Sequence, residues 1–486
     1  MSATLLRRSA QRAVLLVALA ATPAFAADKP ATPEGASNLQ GFFSSLLPKS
    51  APGEPALVTV KTDGPAYVVS FDLRAVNGFF KQAGGPVSYD PALIVYKLFE
   101  QDDGKWRVVM DSFPKLVAHS DNTATTFEVK NLNQTVLIDP TIAWWLNGSA
   151  TADSVRSTIH TPEIDQTINF GPLKADYATT VGANGVVSST VKQVISDIAF
   201  KMAGVSKQGQ PVDIDGHFDS LAFNVGVDGL KSRKVFDAWS LVSAHRDDLG
   251  PHADALKGLL HEIAAPGLKF VEGAEGSKGL FTSPVGAITM AAFKMAAGIS
   301  DAGPNSAIDL VLSADGLSLP VGLAPPGAAA LTPSKIDVGA TLKGIDLSAA
   351  ASTAIDRLRL DGKGTALTDE DMAKVAQALM SAGPLRVEVQ PSHIAAPALD
   401  ADVQGEISYA TGHFSGSMTI RMRNFDKTMA AVRGLGPEIE GRALPGLAMA
   451  KGLAKVESDG SLSWVVEVSQ NRAISINGIP LGKAPG

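Results

Sequence analysis

The chain has 486 residues, 45% of them hydrophobic, with a net charge of −7 and no cysteine. The missing cysteine excludes disulfides, thiol chemistry, cysteine-ligated zinc and iron–sulfur clusters, and an N-terminal lipoprotein anchor. No run of five or six basic residues occurs, so no nucleic acid is expected as a partner.

The first residues read as an address. Arg7, Arg8 and Arg12 are followed by the apolar run Ala13 to Ala21 and by Ala24-Phe25-Ala26, a small-x-small cleavage pattern. This predicts a secretory signal peptide over 1–26 and a periplasmic mature chain. No later apolar run approaches 18 residues, so no transmembrane segment is expected in the mature chain. Residues 27–56, rich in Ala, Pro, Ser and Gly, read as a flexible leader with one short helical turn around Leu39–Leu47.

Aromatics make up only 6%, against 46 Gly and 29 Pro, which implies many short elements joined by turns. From Leu57 the pattern becomes β. Leu57–Lys61 and Tyr67–Leu73 flank the turn Thr62-Asp63-Gly64-Pro65; Leu93–Glu100 and Trp106–Met110 flank Asp102-Asp103-Gly104. Thr125–Val129 and Thr135–Ile138 follow, then Trp144-Trp145, giving a β-rich N-terminal domain over 57–185. In the C-terminal region, 186–486, Val191–Ala203 has apolar residues at helical spacing, and Ser232–Ala264 reads as helix broken at Gly250-Pro251. Thr368 with Asp371 reads as a capping box.

Three stretches share an order of amphipathic helix, Gly or Pro stop and alternating strand, around Pro266-Gly267, Gly383-Pro384 and Asp459-Gly460. Ala199–Gly204 echoes Ala292–Gly298. These echoes suggest helix-plus-hairpin modules that stack because none can bury its apolar face alone.

Reactive constellations are weak. Gly250-Pro251 separates His245 from His252 and His261, and His-Glu-x-x-His is absent. Asp213-x-Asp215-Gly216 opens like a calcium loop but lacks the closing glutamate. Gly-x-Ser-x-Gly is absent too. No catalytic, cofactor or metal residue is therefore assigned and no cofactor is expected. Trp144 and Trp145 are candidate contacts for a ligand or partner, set against a core and sheet-edge role. Phe293, Met295 and Met449 lie in Met-rich stretches read as helices, which suit either a core or an adaptable lipid groove.

Gly416–Asp426 reads as a strand leading into a helix, and the tail ends Ile474-Ser475-Ile476-Asn477-Gly478-Ile479-Pro480-Leu481-Gly482. This order resembles the C-terminus of an uncharacterised alphaproteobacterial envelope family, domain-of-unknown-function family 2125, over about the last 270 residues. Its texture is also similar to AsmA-like envelope proteins. The resemblance implies no catalytic residues, and its members often keep an uncleaved membrane anchor, unlike the leader read above.

The expectation is an α+β fold with a long curved antiparallel sheet, or sheets, and helices packed on one face. The other face, or the gap beneath the helices, would hold acyl chains. The expected function is that of a non-enzymatic envelope protein binding lipid or an envelope protein partner. The alternatives are a structural or assembly factor without a pocket, and a hydrolase whose catalytic carboxylates are dispersed in sequence.

Overall fold

The computed structural model describes residues 26–47, 53–82, 87–205, 209–245, 248–320, 328–360, 366–410, 413–469 and 471–483. The signal-peptide reading lies outside the described residues except for Ala26. The chain is α+β, and its described strand pairings are antiparallel. It divides into two compact units: Met1–Asp213 with Ser220–Ile263 and Arg359–Thr365, and Ile214–Asp219 with Ala264–Leu358 and Ala366–Gly486.

The first unit contains β1 (Val58–Asp63), β2 (Ala66–Asp72), β3 (Val87–Tyr89), β4 (Leu93–Glu100), β5 (Trp106–Met110), β6 (Leu116–Ser120), β7 (Thr123–Lys130), β8 (Asn133–Asp139), β9 (Trp144–Ala152), β10 (Ser154–His160), β11 (Ile164–Phe170), β12 (Leu173–Val181) and β13 (Val187–Val205). One ladder runs β1-β2-β4-β5-β8-β9-β12-β13. A second leaves the far half of β13 as β13-β11-β10-β7-β6-β3. The sequence neighbours β7 and β8, β9 and β10, and β11 and β12 are thus long strands broken in the middle. The breaks fall at Asn131, Asp153, Gly171 and, within β13, Asp197. Asn131 and Asp197 take φ of 51°, and the Asn131 amide donates to Asp153 Oδ2 at 2.6 Å. Gly171 donates to Ser196 O at 3.0 Å, and a Cβ there would sit 2.6 Å from that oxygen. Along this crease a single core collects residues from both ladders: Met110, Leu132, Ala150, Ala152 and Val155, with Phe127, Phe170 and Leu173 against them.

The crease explains one failed expectation. Val191–Ala203 is not a helix but part of β13. Val191, Ile195, Ile198 and Met202 recur every three to four residues because the left-handed Asp197 interrupts the strand's alternation between them. A kinked strand has imitated helical periodicity.

Part of the leader forms a helix. Pro33–Leu46 is a helix of 14 residues, N-capped by Thr32, whose hydroxyl accepts from Gly35 N at 3.0 Å. Ala36 is buried on Val58, Tyr67, Val69 and Leu98. Gln40 of this helix donates to Val58 O at 2.9 Å and accepts from Val60 N at 2.8 Å. Its amide thereby acts as a strand neighbour for β1, one edge of the ladder. Asn77, in the helix Leu73–Gln82, does the same for β3 at the other edge, with 2.7 and 2.6 Å bonds to Tyr89. Edge strands left bare invite pairing with other chains, and both edges here are blunted.

Ser232–His245 and Ala253–Ile263 form the helix pair expected around the Gly250-Pro251 break. The residues of β14 (Pro211–Leu230) are divided between the units, Ile214–Asp219 belonging to the second and the remainder to the first.

The second unit contains β15 (Lys269–Ser283), β16 (Gly286–Ile299), β17 (Ser306–Asp315), β18 (Lys335–Ile345), β19 (Leu385–Ala396), β20 (Leu399–Ala410), β21 (His413–Arg423), β22 (Lys455–Val456), β23 (Leu462–Val468), β24 (Ala473–Ile476) and β25 (Ile479–Lys483). It is a meander in chain order, with β22 pairing on the start of β23. The Met290–Met295 stretch read as helix is part of β16. All three helix-to-strand junctions are present, after Ala253–Ile263, Asp369–Leu379 and Pro437–Leu453. The Thr368–Asp371 capping box forms as expected. Asn477, in the β24–β25 turn, accepts from Val465 N at 2.8 Å and donates to Leu453 O and Ser463 O at 2.8 and 3.0 Å.

The edge-capping role of Gln40 is open to test. Gln40→Ala removes two part-buried hydrogen bonds, so a loss of about 1–3 kcal/mol in urea unfolding is expected, with more aggregation during refolding.

Candidate functional site

Strand side chains alternate between faces, and cross-strand partners share a face. In the second unit the register carries this alternation across the meander. One row reads Ile299, Ile308, Leu342, Val387, Ile407, Gly416, Val468 and Ile474. The row one residue away reads Gly298, Asp309, Thr341, Glu388, Glu406, Ser417, Glu467 and Ser475. The next reads Ala297, Leu310, Ala340, Val389, Gly405, Met418, Val466 and Ile476. One face is therefore apolar and the other polar.

At the β21–β24 end, the apolar face is covered by the helices Phe425–Arg433 and Pro437–Leu453. Phe425, Met429, Leu447 and Ala450 pack there on Ile420, Met422, Trp464, Val466 and Ile476. The Trp464 indole N–H donates to Ala450 O at 2.7 Å. Elsewhere the same face stays open: Met295 is 52% exposed, Leu310 54%, Leu312 48% and Phe414 58%, with Val387 and Ile407 also exposed. Met295 and Leu312 are cross-strand partners, as are Tyr409 and Phe414, whose rings lie 4.9 Å apart. Contiguous exposed apolar surface of this kind marks a binding surface more often than chance exposure.

The opposite face carries ion pairs, which corrects the expectation that it would hold acyl chains. Lys294 meets Glu275 at 2.8 Å, and Lys343 pairs with Glu388. Arg423 bridges Asp400 at 2.7 Å and Asp402 at 2.8 Å, and His393 Nδ1 lies 2.8 Å from Asp402. Burial raises the Asp402 pKa, but His393 and Arg423 outweigh it and hold the carboxyl below the usual carboxylate range. Its folded-state pKa being depressed, Asp402 stabilises the fold above the unfolded carboxylate value and loses that contribution as pH falls through the folded value. Urea midpoints should therefore fall more steeply for the wild type than for Asp402→Asn between about pH 5 and pH 1, with the variant less stable at neutral pH.

A shallow cleft of about 540 Å³ lies between the last two helices, lined by Asp426, Met429, Arg433, Ala448, Lys451 and Gly452. The Lys451–Asp426 ion pair spans it. Among the described residues no group of three or more His, Cys, Asp or Glu is placed to hold a metal ion.

The residues singled out from sequence fall in three places. Trp144 and Trp145 come together in the first unit, their rings stacked with centroids 4.0 Å apart. Trp144 donates to Ser189 Oγ at 2.7 Å, and Trp145 packs on Tyr177, whose hydroxyl burial pushes above its usual range. The Trp145 indole nitrogen is buried without a hydrogen-bond partner. Phe293 and Met295 share the apolar face of β16. Phe293 lies over Gly276, where a Cβ would meet its ring at 2.1 Å, and packs on Phe218. Met295 is open to solvent. Met449, on the helix Pro437–Leu453, is 62% exposed. Sequence reading passed over Leu310, Leu312, Val387, Ile407 and Phe414. The available signal was alternation in Ile308-Asp309-Leu310, blurred by Val311 between Leu310 and Leu312.

In the second unit, fold and surface together define an antiparallel sheet with one charged face and one apolar face, the latter only partly roofed by helices. Residues 263–485 match the model of DUF2125, described as an uncharacterized protein conserved in bacteria, which bears out the resemblance read from the tail. No curated protein and no solved structure matches the chain.

Proposed function

We propose that this chain is a non-enzymatic periplasmic envelope protein that holds the acyl chains of a lipid against the open apolar face of its second unit. The observation that carries this reading is the exposed strip over β16, β17, β19, β20 and β21, where Met295, Leu310, Leu312, Val387, Ile407 and Phe414 remain in solvent. Leaving such side chains exposed forgoes roughly 25 cal/mol per Å² of burial, which an acyl chain laid along the rows recovers. Small residues within the rows, Ala297 and Ala340, alternate with the larger apolar side chains. The leader sequence supports the compartment.

Native mass spectrometry of protein purified from its own periplasm tests this. Phospholipid masses are expected on the wild type and at least about tenfold less on a Leu310→Asp, Leu312→Asp double variant, since each buried charge opposes an acyl chain by more than 1.4 kcal/mol. Clean protein without lipid under every extraction condition would overturn the reading.

A further inference from the structure

The apolar rows of the second unit carry a charged side chain at one place. Followed one strand beyond β16, they begin on β15 at Phe270, Glu272 and Ala274, the register partners of Ile299, Ala297 and Met295. From there toward β24 the rows hold only apolar side chains and glycine, so the Glu272 carboxylate is their one charge among the described residues. Leu310 lies two strands along the same row, about 10 Å away at the usual strand spacing. Glu272 is exposed and has no hydrogen-bond or ion-pair partner among the described residues. Glu275, three residues on and on the charged face, meets Lys294 at 2.8 Å.

A carboxylate beside a strip that acyl chains cover loses part of its water, and an opposite charge is needed to offset that loss. These rows supply no cation of their own. A lipid head ending in a primary ammonium supplies one, with three N–H donors for the two carboxylate oxygens. An anionic head would instead meet like charge at Glu272 and, at longer range, a chain of net charge −7. The charged-face row beside Glu272's own adds Asp309, Glu388, Glu406 and Glu467 to that negative field. Orientation follows from the same row. Chains running from Glu272 pass Leu310 and head for the roof, where Phe425, Leu447 and Trp464 close the face. The roof carries the competing anchor for an anionic head: Arg433, exposed in the cleft between the last two helices, has no ion pair among the described residues.

We infer that the strip takes a phospholipid whose head ends in a primary ammonium, with Glu272 as the group that receives it; this rests on the acyl-chain reading of the same face. In the test, delipidated mature chain is incubated with detergent micelles holding equal amounts of phosphatidylethanolamine and phosphatidylglycerol with identical acyl chains. The protein is then re-isolated and its lipids are quantified by mass spectrometry. The wild type should carry at least about threefold more phosphatidylethanolamine, a preference that added salt reduces. Glu272→Gln should carry both lipids equally, with total uptake and thermal melting unchanged. Glu272→Lys should favour phosphatidylglycerol, while Arg433→Gln keeps the wild-type ratio. A wild-type ratio in Glu272→Gln, or a ratio moved by Arg433→Gln instead, would overturn the assignment. Leu310→Asp, Leu312→Asp should lose both lipids alike. A wild type that takes up neither lipid would overturn the acyl-chain reading and this inference together.

Discussion

Successive side chains of a strand point to opposite sides, and in the second unit the antiparallel register hands this alternation from β15 through to β24 across the bulges in its middle strands. Its amphipathic surface depends on that one constraint. A one-residue slip at any pairing would turn Leu310 or Val387 onto the charged side and Asp309 or Glu388 onto the apolar one. The irregularity in β19 respects the rule. Val389 pairs with Gly405 and Ser392 with Val403, so the strand takes one extra residue around Pro391, and Ile394 still reaches the apolar side opposite Ala401. The Asp400, Asp402, His393 and Arg423 network lies across the same three strands on the other side, where it reinforces the register electrostatically.

The first unit solves a different problem with the same material. Its strands are too long to stay flat, and breaks at Asn131, Asp153, Gly171 and Asp197 line up across the ladders. Both ladders then contribute to one core, which suits a chain poor in aromatics: Ala150, Ala152 and Val155 let the backbone layers approach, and the few rings fill the remaining space. The ends of the sheet are closed by side-chain amides rather than by further strands.

Much of this was legible from local pattern. Leu93–Glu100 and Trp106–Met110 match their strands residue for residue, because Asp-Gly turn chemistry and alternation agree there. The helix pair around Gly250-Pro251 and the Thr368 cap were equally readable, each resting on a local steric or hydrogen-bonding requirement. What escaped depends on distant partners. The helix at Pro33–Leu46 is ordered by Tyr67 and β1, which its own composition, with three Ser and two Gly, does not reveal. Val191–Ala203 was misread because its break at Asp197 is paired with Gly171 on another strand. The open apolar strip is spread over five strands, and no contiguous segment of sequence announces it.

The turn that fastens the last hairpin also sets a clock. Asn477 precedes Gly478, a pairing favoured here because both residues take positive φ in the tight connection between β24 and β25. Asparagine before glycine is also the dipeptide most prone to spontaneous loss of its amide nitrogen, through cyclisation onto the following peptide. In this molecule that nitrogen is held between two carbonyl oxygens. Deamidation there would leave an anion facing both and loosen the C-terminal seam, while the bonds that hold the amide in place slow the reaction that destroys it.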